Sequence, residues 1–481
     1  MTAPALRIVA ATLLCLLSVR GTEAHALAQR YDLPLPLGFF LVGAGAAVAV
    51  SFVVLGLFWR IDGAQLDSAD RPWMQGTIPR PIVDFCKAIG VALLLLTICA
   101  GLFGNQSTFK NIAPVAVWIL WWVGLSFVCA FVGNVWILIN PWTAMFEFGE
   151  RWAKSWLKDL SLRLPYPTWL GAWPACALFF LLAWFELVAP GRDVPRNIAV
   201  ALAIYSALTF AGFACFGHEL WCRNVEVFSV VFGLFGRFAP LQIEDNGRSR
   251  WALRPPAVGL LVRTPLDPTM TAFTLLVLGT VTVDGLMETP AWAAVVEQLI
   301  GAQTPASSAA SYMMLQTALL AAGPLMLALL YLTAIALMGQ SPVKRLAGQF
   351  VLSLVPIAIA YHLAHYFSML AIAGQFIIPL ASDPFGYGWD LFGTTLYRVD
   401  IGLVDARFVW YLSVAAIVIG HIIAVWVSHV TAYVALDTGT ARRSQYAMLM
   451  LMIGYTMLSL WILAQPIIEL TMQPIIELTI K

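Results

Sequence analysis

His362 and His365 stand one helical turn apart in an apolar segment, and His421 lies in the next one. Ionisable groups in such sequence are costly to insert, and histidine both titrates near neutrality and ligates metals. If the eighth apolar segment runs outward to Phe376 and the ninth runs inward from Phe408, the three rings lie at similar depths. At 1.5 Å per residue these are about 21, 17 and 20 Å below the outer surface. Three imidazoles at one level on neighbouring helices could hold one divalent ion, and the i, i+3 pair shares a helix face. Interhelical hydrogen bonding and a proton relay are the other readings of the same pattern. Tyr361, Tyr366 and Ser368 are close enough in sequence to support the rings, and Pro356 is expected to kink the helix below them.

Carboxylates come next. Asp284, in Thr280-Val-Thr-Val-Asp-Gly-Leu286, is the best candidate for a further ligand or general base, with a capping role as the alternative. Asp383 and Asp390 belong to the outer loop 381–393, whose Pro384, Gly386, Gly388 and Trp389 give it turn chemistry and aromatic bulk. That loop follows the histidine helix directly, so it is either a lid carrying catalytic carboxylates or an interfacial anchor. Glu186 reads as a residue snorkelling to the interface. Asp84 and Lys87 read as a pair at the inner end of the second span. His218 and His429 read as interfacial. His25 would be a copper-chelating N-terminal residue if a leader were cut after Ala24.

The elements that must carry these residues are membrane helices. The chain is 60% hydrophobic and 11% charged, with mean hydropathy +0.83, which excludes an ordinary soluble domain. The fold class is all-α: a polytopic bundle of about ten transmembrane helices after a cleavable signal peptide. Arg7 and the apolar run 8–19 mark the leader, with small residues before Ala24 and Ala26 as cut sites. The chain then divides into residues 1–26 and one membrane domain, 27–481. Spans are expected near 37–59, 85–104, 115–139, 169–188, 197–217, 268–287, 312–338, 346–376, 408–430 and 446–465. Putting both termini outside places 18 of the 27 Lys and Arg residues on the inner connections and 7 outside, with two in the leader, as the positive-inside rule requires. Residues 142–157 and 219–238 alternate aromatic and charged side chains, either as helices lying in the interface or as helices packed on the inner mouths of the spans. Seven cysteines form no C-x-x-C pair, and a net charge of +1 argues against a nucleic-acid partner. The tail repeats Gln-Pro-Ile-Ile-Glu-Leu-Thr at 465–471 and 473–479, a local duplication.

Several stretches carry a resemblance. They are Arg30-Tyr-Asp-Leu-Pro-Leu-Pro36, Phe216-Gly-His-Glu-Leu-Trp221, Ser353-Leu-Val-Pro-Ile-Ala-Ile-Ala360, Ala364-His-Tyr-Phe-Ser368, the 381–393 loop, Gly420-His421, Ser444-Gln-Tyr-Ala-Met-Leu449 and Gly454-Tyr455. Together they resemble the bacterial polytopic membrane proteins known as fenitrothion hydrolases. The resemblance implies hydrolysis of a lipophilic organophosphorothioate triester at its aryl P–O bond, in the bacterial cytoplasmic membrane. A divalent metal on His362, His365 and His421, with Asp284, Asp383 or Asp390 as acid or base, is compatible with that chemistry. A haem- or copper-binding redox protein and a proton-coupled transporter remain the alternatives. A membrane partner subunit is compatible with the sequence, and no residue identifies one.

Overall fold

A computed structural model describes residues 35–58, 71–153, 161–245, 249–301, 305–339, 342–436 and 438–465. The leader, its cut sites, His25 and nearly all of the tail repeat lie outside the described residues. The helices, in order, are α1 (Leu37–Phe58), α2 (Arg80–Phe103), α3 (Ile112–Phe131), α4 (Pro141–Ala153), α5 (Trp173–Leu187), α6 (Pro195–Phe216) and α7 (Val227–Gly236). They continue as α8 (Pro268–Met287), α9 (Pro290–Ile300), α10 (Pro305–Leu337), α11 (Val343–Ser382), α12 (Ala406–Ala435) and α13 (Thr438–Leu463). Among the described residues, nine helices are long and apolar enough to cross a membrane. This is a multi-pass, all-α membrane protein.

The expected fourth span is the exception. α5 has only 15 residues, because Gly171 turns the chain at φ +45° and Pro174 opens the helix. The Ala172 N–H donates to Thr269 Oγ1 (2.7 Å), so α5 and α8 start side by side. Counting along both helices puts Glu186 level with Asp284.

Two ends can be told apart by contacts. At one, the Asn105 N–H donates to the Phe385 carbonyl (2.8 Å), Thr108 Oγ1 donates to the Asp193 carbonyl (3.2 Å) and Arg192 Nη1 donates to the Leu187 carbonyl (2.7 Å). At the other, strands β1 (Met74–Thr77), β2 (Leu241–Asp245) and β3 (Ser249–Leu253) form an antiparallel sheet in the order β1-β3-β2. Lys87 reaches that end and pairs with Glu147 (2.7 Å) and Asp245 (3.5 Å), two groups distant in sequence, in place of the expected Asp84. Connections expected on one side therefore meet on one side.

α11 is the central post: its apolar window is 94% buried, against 22% for α1 and α2 at the rim. Rim helices turn large apolar side chains outward, as Leu325, Met326 and Leu329 of α10 do, which suits lipid contact. Small residues let the inner helices approach closely. A Cβ on Gly420 would lie 2.4 Å from the Ala360 Cβ, and one on Gly279 would lie 2.5 Å from the Pro324 Cα. The irregularity expected at Pro356 falls just before it: residues Val351–Leu354 are 3-10, and Pro356 occupies the first turn of the regular helix that follows.

The two amphipathic stretches pack on the bundle. α7 is buried almost all round, and Trp142 of α4 is fully buried with its Nε1 donating to Ser206 Oγ (2.8 Å). Packing on the helix mouths describes α7, whereas α4 is packed on one face and turns Phe148 and Trp152 outward, which leaves the interfacial reading open for it. Burial pushes the Cys222 thiol up to about 12, which makes it an inert packing group rather than a nucleophile.

Candidate functional site

α8 and α11 meet at a buried polar cluster. Asp284 lies three residues before the end of α8 and is 8% exposed. Its Oδ2 accepts hydrogen bonds from His365 Nε2 (3.0 Å) and from the Tyr366 hydroxyl. Glu288, one turn beyond Asp284 on the same helix face, completes a group. Ligand atoms of Asp284, Glu288 and His365 all lie within 4.8 Å of one another. Two carboxylates and one imidazole form a hard, oxygen-rich donor set that suits a divalent cation. His365 and Tyr366 orient the shared carboxylate, and Tyr361 stacks on the His365 ring (6.1 Å between centroids). Gly285 makes that stack possible, since a Cβ there would lie 2.2 Å from the Tyr361 hydroxyl.

The three histidines do not converge. His365 joins the carboxylates. His362 points into an aromatic cage of Trp122, Phe127, Phe235 and Tyr366, with centroids 4.7–6.1 Å away. His421 donates from Nδ1 to the Ile417 carbonyl (2.8 Å) and packs against Tyr455. Matched depth is a statement about height alone. Three residues turn a helix by about 300°, so neighbouring histidines at i, i+3 still diverge by about 60°. The metal-capable group thus keeps one of the three expected histidine ligands, includes Asp284, the expected further ligand or base, and gains Glu288.

Asp383 and Asp390 sit elsewhere. Asp383 accepts from the N–H groups of Tyr387 (2.9 Å) and Gly388 (2.7 Å), and Asp390 Oδ1 accepts from the Thr395 N–H (3.2 Å). The Thr395 N–H holds the Asp390 carboxyl below the usual range. Both residues shape the loop, and Gly386 (φ +69°) and Gly388 (φ +87°) supply its left-handed turns. The loop lies on the α2–α3 connection, where the Pro384 and Phe385 carbonyls accept from the Ile112 and Asn105 N–H groups and the Tyr387 hydroxyl donates to the Phe103 carbonyl. Its contacts make it a brace on that connection. His429 Nδ1 donates to Gln445 Oε1 (2.8 Å), and the His218 ring packs on Phe146 and Phe213.

A cavity of about 20 Å³ adjoins the cluster, lined among others by Trp122, Glu186, Asp284, His362 and Tyr366. Glu186 is part of this wall rather than a snorkelling residue.

Protein-family models, curated proteins and solved structures all give no match to this chain. What fold and site define is a class: a polytopic helical membrane protein with a partly buried Asp–Glu–His group that could hold a metal ion.

Proposed function

We propose that the protein is a membrane-embedded hydrolase of lipophilic organophosphorothioate triesters such as fenitrothion, with a divalent cation held by Asp284, Glu288 and His365. The observation that carries this reading is the placement of that group inside the helix bundle, within ligand-sharing distance. A cation there would supply Lewis acidity toward a phosphoryl or thiophosphoryl group and toward water. The chain's own residues orient and shield: Tyr366 fixes the Asp284 carboxylate, and Tyr361 buttresses His365, whose Nε2 hydrogen bond to Asp284 would give way if that nitrogen took the cation. A site among membrane helices suits a neutral triester that partitions into lipid. The stretches resembling fenitrothion hydrolases support the substrate class. Basic residues concentrated at the sheet-bearing end support a cytoplasmic-membrane location with that end inside.

The test is metal content and aryl-alcohol release measured together on purified protein. One divalent ion per chain, with release lost alongside the metal in His365→Ala, is the expected outcome. Release that persists in metal-free protein overturns the reading.

A proton-coupled carrier is the second reading, and the cavity favours it. About 20 Å³ accommodates water, whereas a triester needs the helices to part. Solute uptake driven by a proton gradient, without turnover, would select this reading.

A further inference from the structure

Polar side chains from four helices meet at the cavity beside Asp284. Trp122 comes from α3, Glu186 from α5, Asp284 from α8 and His362 from α11. Trp122 and His362 are 9% and 5% exposed, yet Trp122 Nε1 and His362 Nε2 have no hydrogen-bond partner among the described residues. Trp122 lies close enough to the Glu186 carboxylate to interact with it, short of a full hydrogen bond. A buried indole N–H left unpaired costs about 1–3 kcal/mol, so two orphaned groups on one cavity wall call for an occupant.

The donor set identifies that occupant. Trp122 can only donate, the two carboxylates accept when ionised, and imidazole can do either. A small anion would meet two carboxylates, and a bare cation would meet the indole N–H. Water both accepts and donates, needs about 10–15 Å³, and is held by two to four polar partners. The cavity offers about 20 Å³. Backbone winding points to the same place: Trp122 lies in a ten-residue π-helical stretch, Val115–Gly124, and such windings are frequent at functional sites.

We propose that this cavity is a built water site, with Trp122 donating to the water oxygen, the water donating to Glu186 and Asp284, and His362 completing the shell. Through Asp284 the water is one residue removed from the metal-capable group. Glu186 is the penultimate residue of α5, so the water enters from the end where Arg192 binds the Leu187 carbonyl. The site is independent of the hydrolase reading, because a hydrolase and a proton relay both need water here.

X-ray hydroxyl-radical footprinting of the full chain in lipid nanodiscs tests it, since radiolysis of bound water oxidises the side chains touching it. Trp122 and Tyr366 should be oxidised several-fold faster than Trp142, which is fully buried and already bonded to Ser206. Two variants, Glu186→Leu and His362→Phe, should each lower the Trp122 rate to that of Trp142, with circular dichroism confirming the fold. Oxidation of Trp122 no faster than Trp142 in the unsubstituted chain overturns the proposal. So does fast oxidation that both variants leave unchanged. Triester turnover does not enter either readout, so a failed water site and a failed hydrolase are distinguishable.

Discussion

Two buried glutamate- and aspartate-centred clusters occupy opposite ends of the bundle, and they are built to different rules. At the sheet-bearing end, Glu226 is fully buried and caps α7. Its Oε1 accepts from the Phe228 N–H and the Tyr205 hydroxyl, and its Oε2 accepts from the Ser229 N–H, Ser229 Oγ, Trp136 Nε1 and Asn140 Nδ2. Each acceptor site is used, which is what a structural carboxylate requires. Around Asp284 the neighbours His362 and Trp122 keep unpartnered nitrogens, and three ligand atoms sit close enough to share an ion. Saturation marks a part that holds the fold. Open valence on the wall of a cavity, beside carboxylates, marks a place that can take a polar occupant.

That contrast can be broken by substitution. Glu226→Leu should have the largest effect on folding. It strands the Tyr205 hydroxyl and the Phe228 and Ser229 N–H groups and leaves Trp136 and Asn140 only Ser229 Oγ, and at about 1–3 kcal/mol per orphan the total loss should reach about 3–5 kcal/mol. Thermal unfolding in detergent would show it, and molecules that still fold should keep their metal. Asp284→Asn should do the reverse. Turnover should fall by at least about a hundredfold, at the low end for a group that stabilises or positions in the transition state, while the unfolding midpoint moves little. Should Asp284→Asn unfold the protein as severely as Glu226→Leu, the distinction between the clusters disappears.

Gly285→Ala lies between these extremes. The added Cβ meets the Tyr361 hydroxyl, and overpacking of this kind costs about 1–3 kcal/mol. Because Tyr361 stacks on His365, turnover should fall together with stability. Asp383→Ala removes two loop hydrogen bonds, each worth about 0.5–1.5 kcal/mol, and should leave turnover unchanged. A large loss of turnover there would restore the loop as a lid over the site. Asp390 offers the smallest effect. Its carboxyl is held down by the Thr395 N–H, so its stabilisation is present at neutral pH and disappears as pH falls through the lowered value. The midpoint difference between the native chain and Asp390→Asn should therefore exist at pH 7 and close in strong acid.

Much of this architecture could be read from residues alone, because apolar runs long enough to span a bilayer announce themselves. α5 was the span most open to misreading: its hydropathy extends back through Trp169 and Leu170, but the turn at Gly171 and Pro174 shortens the helix. The small sheet left a signal as well, Asn246-Gly247 between two short alternating runs, which is hairpin chemistry. Within the site, His365 and Asp284 stood out as ionisable groups in apolar helices. Glu288 did not, since it lies just past the helix end in Met287-Glu-Thr-Pro290, yet its i+4 spacing from Asp284 was available. Glu186 looked interfacial because it is the penultimate residue of α5, and only the packing of that helix end puts it on the cavity wall beside Asp284 and His362. His421 matched in height and failed in azimuth, and azimuth is set by how α12 rotates against α11 at Gly420, which hydropathy does not encode.

The most direct measurement pairs metal analysis with nitrophenol release from fenitrothion, using purified chain in nanodiscs beside Asp284→Asn, Glu288→Gln and His365→Ala. The account predicts one divalent ion per native chain, and loss of both ion and release in all three variants while the fold persists. Native release and metal content retained in all three variants would contradict it.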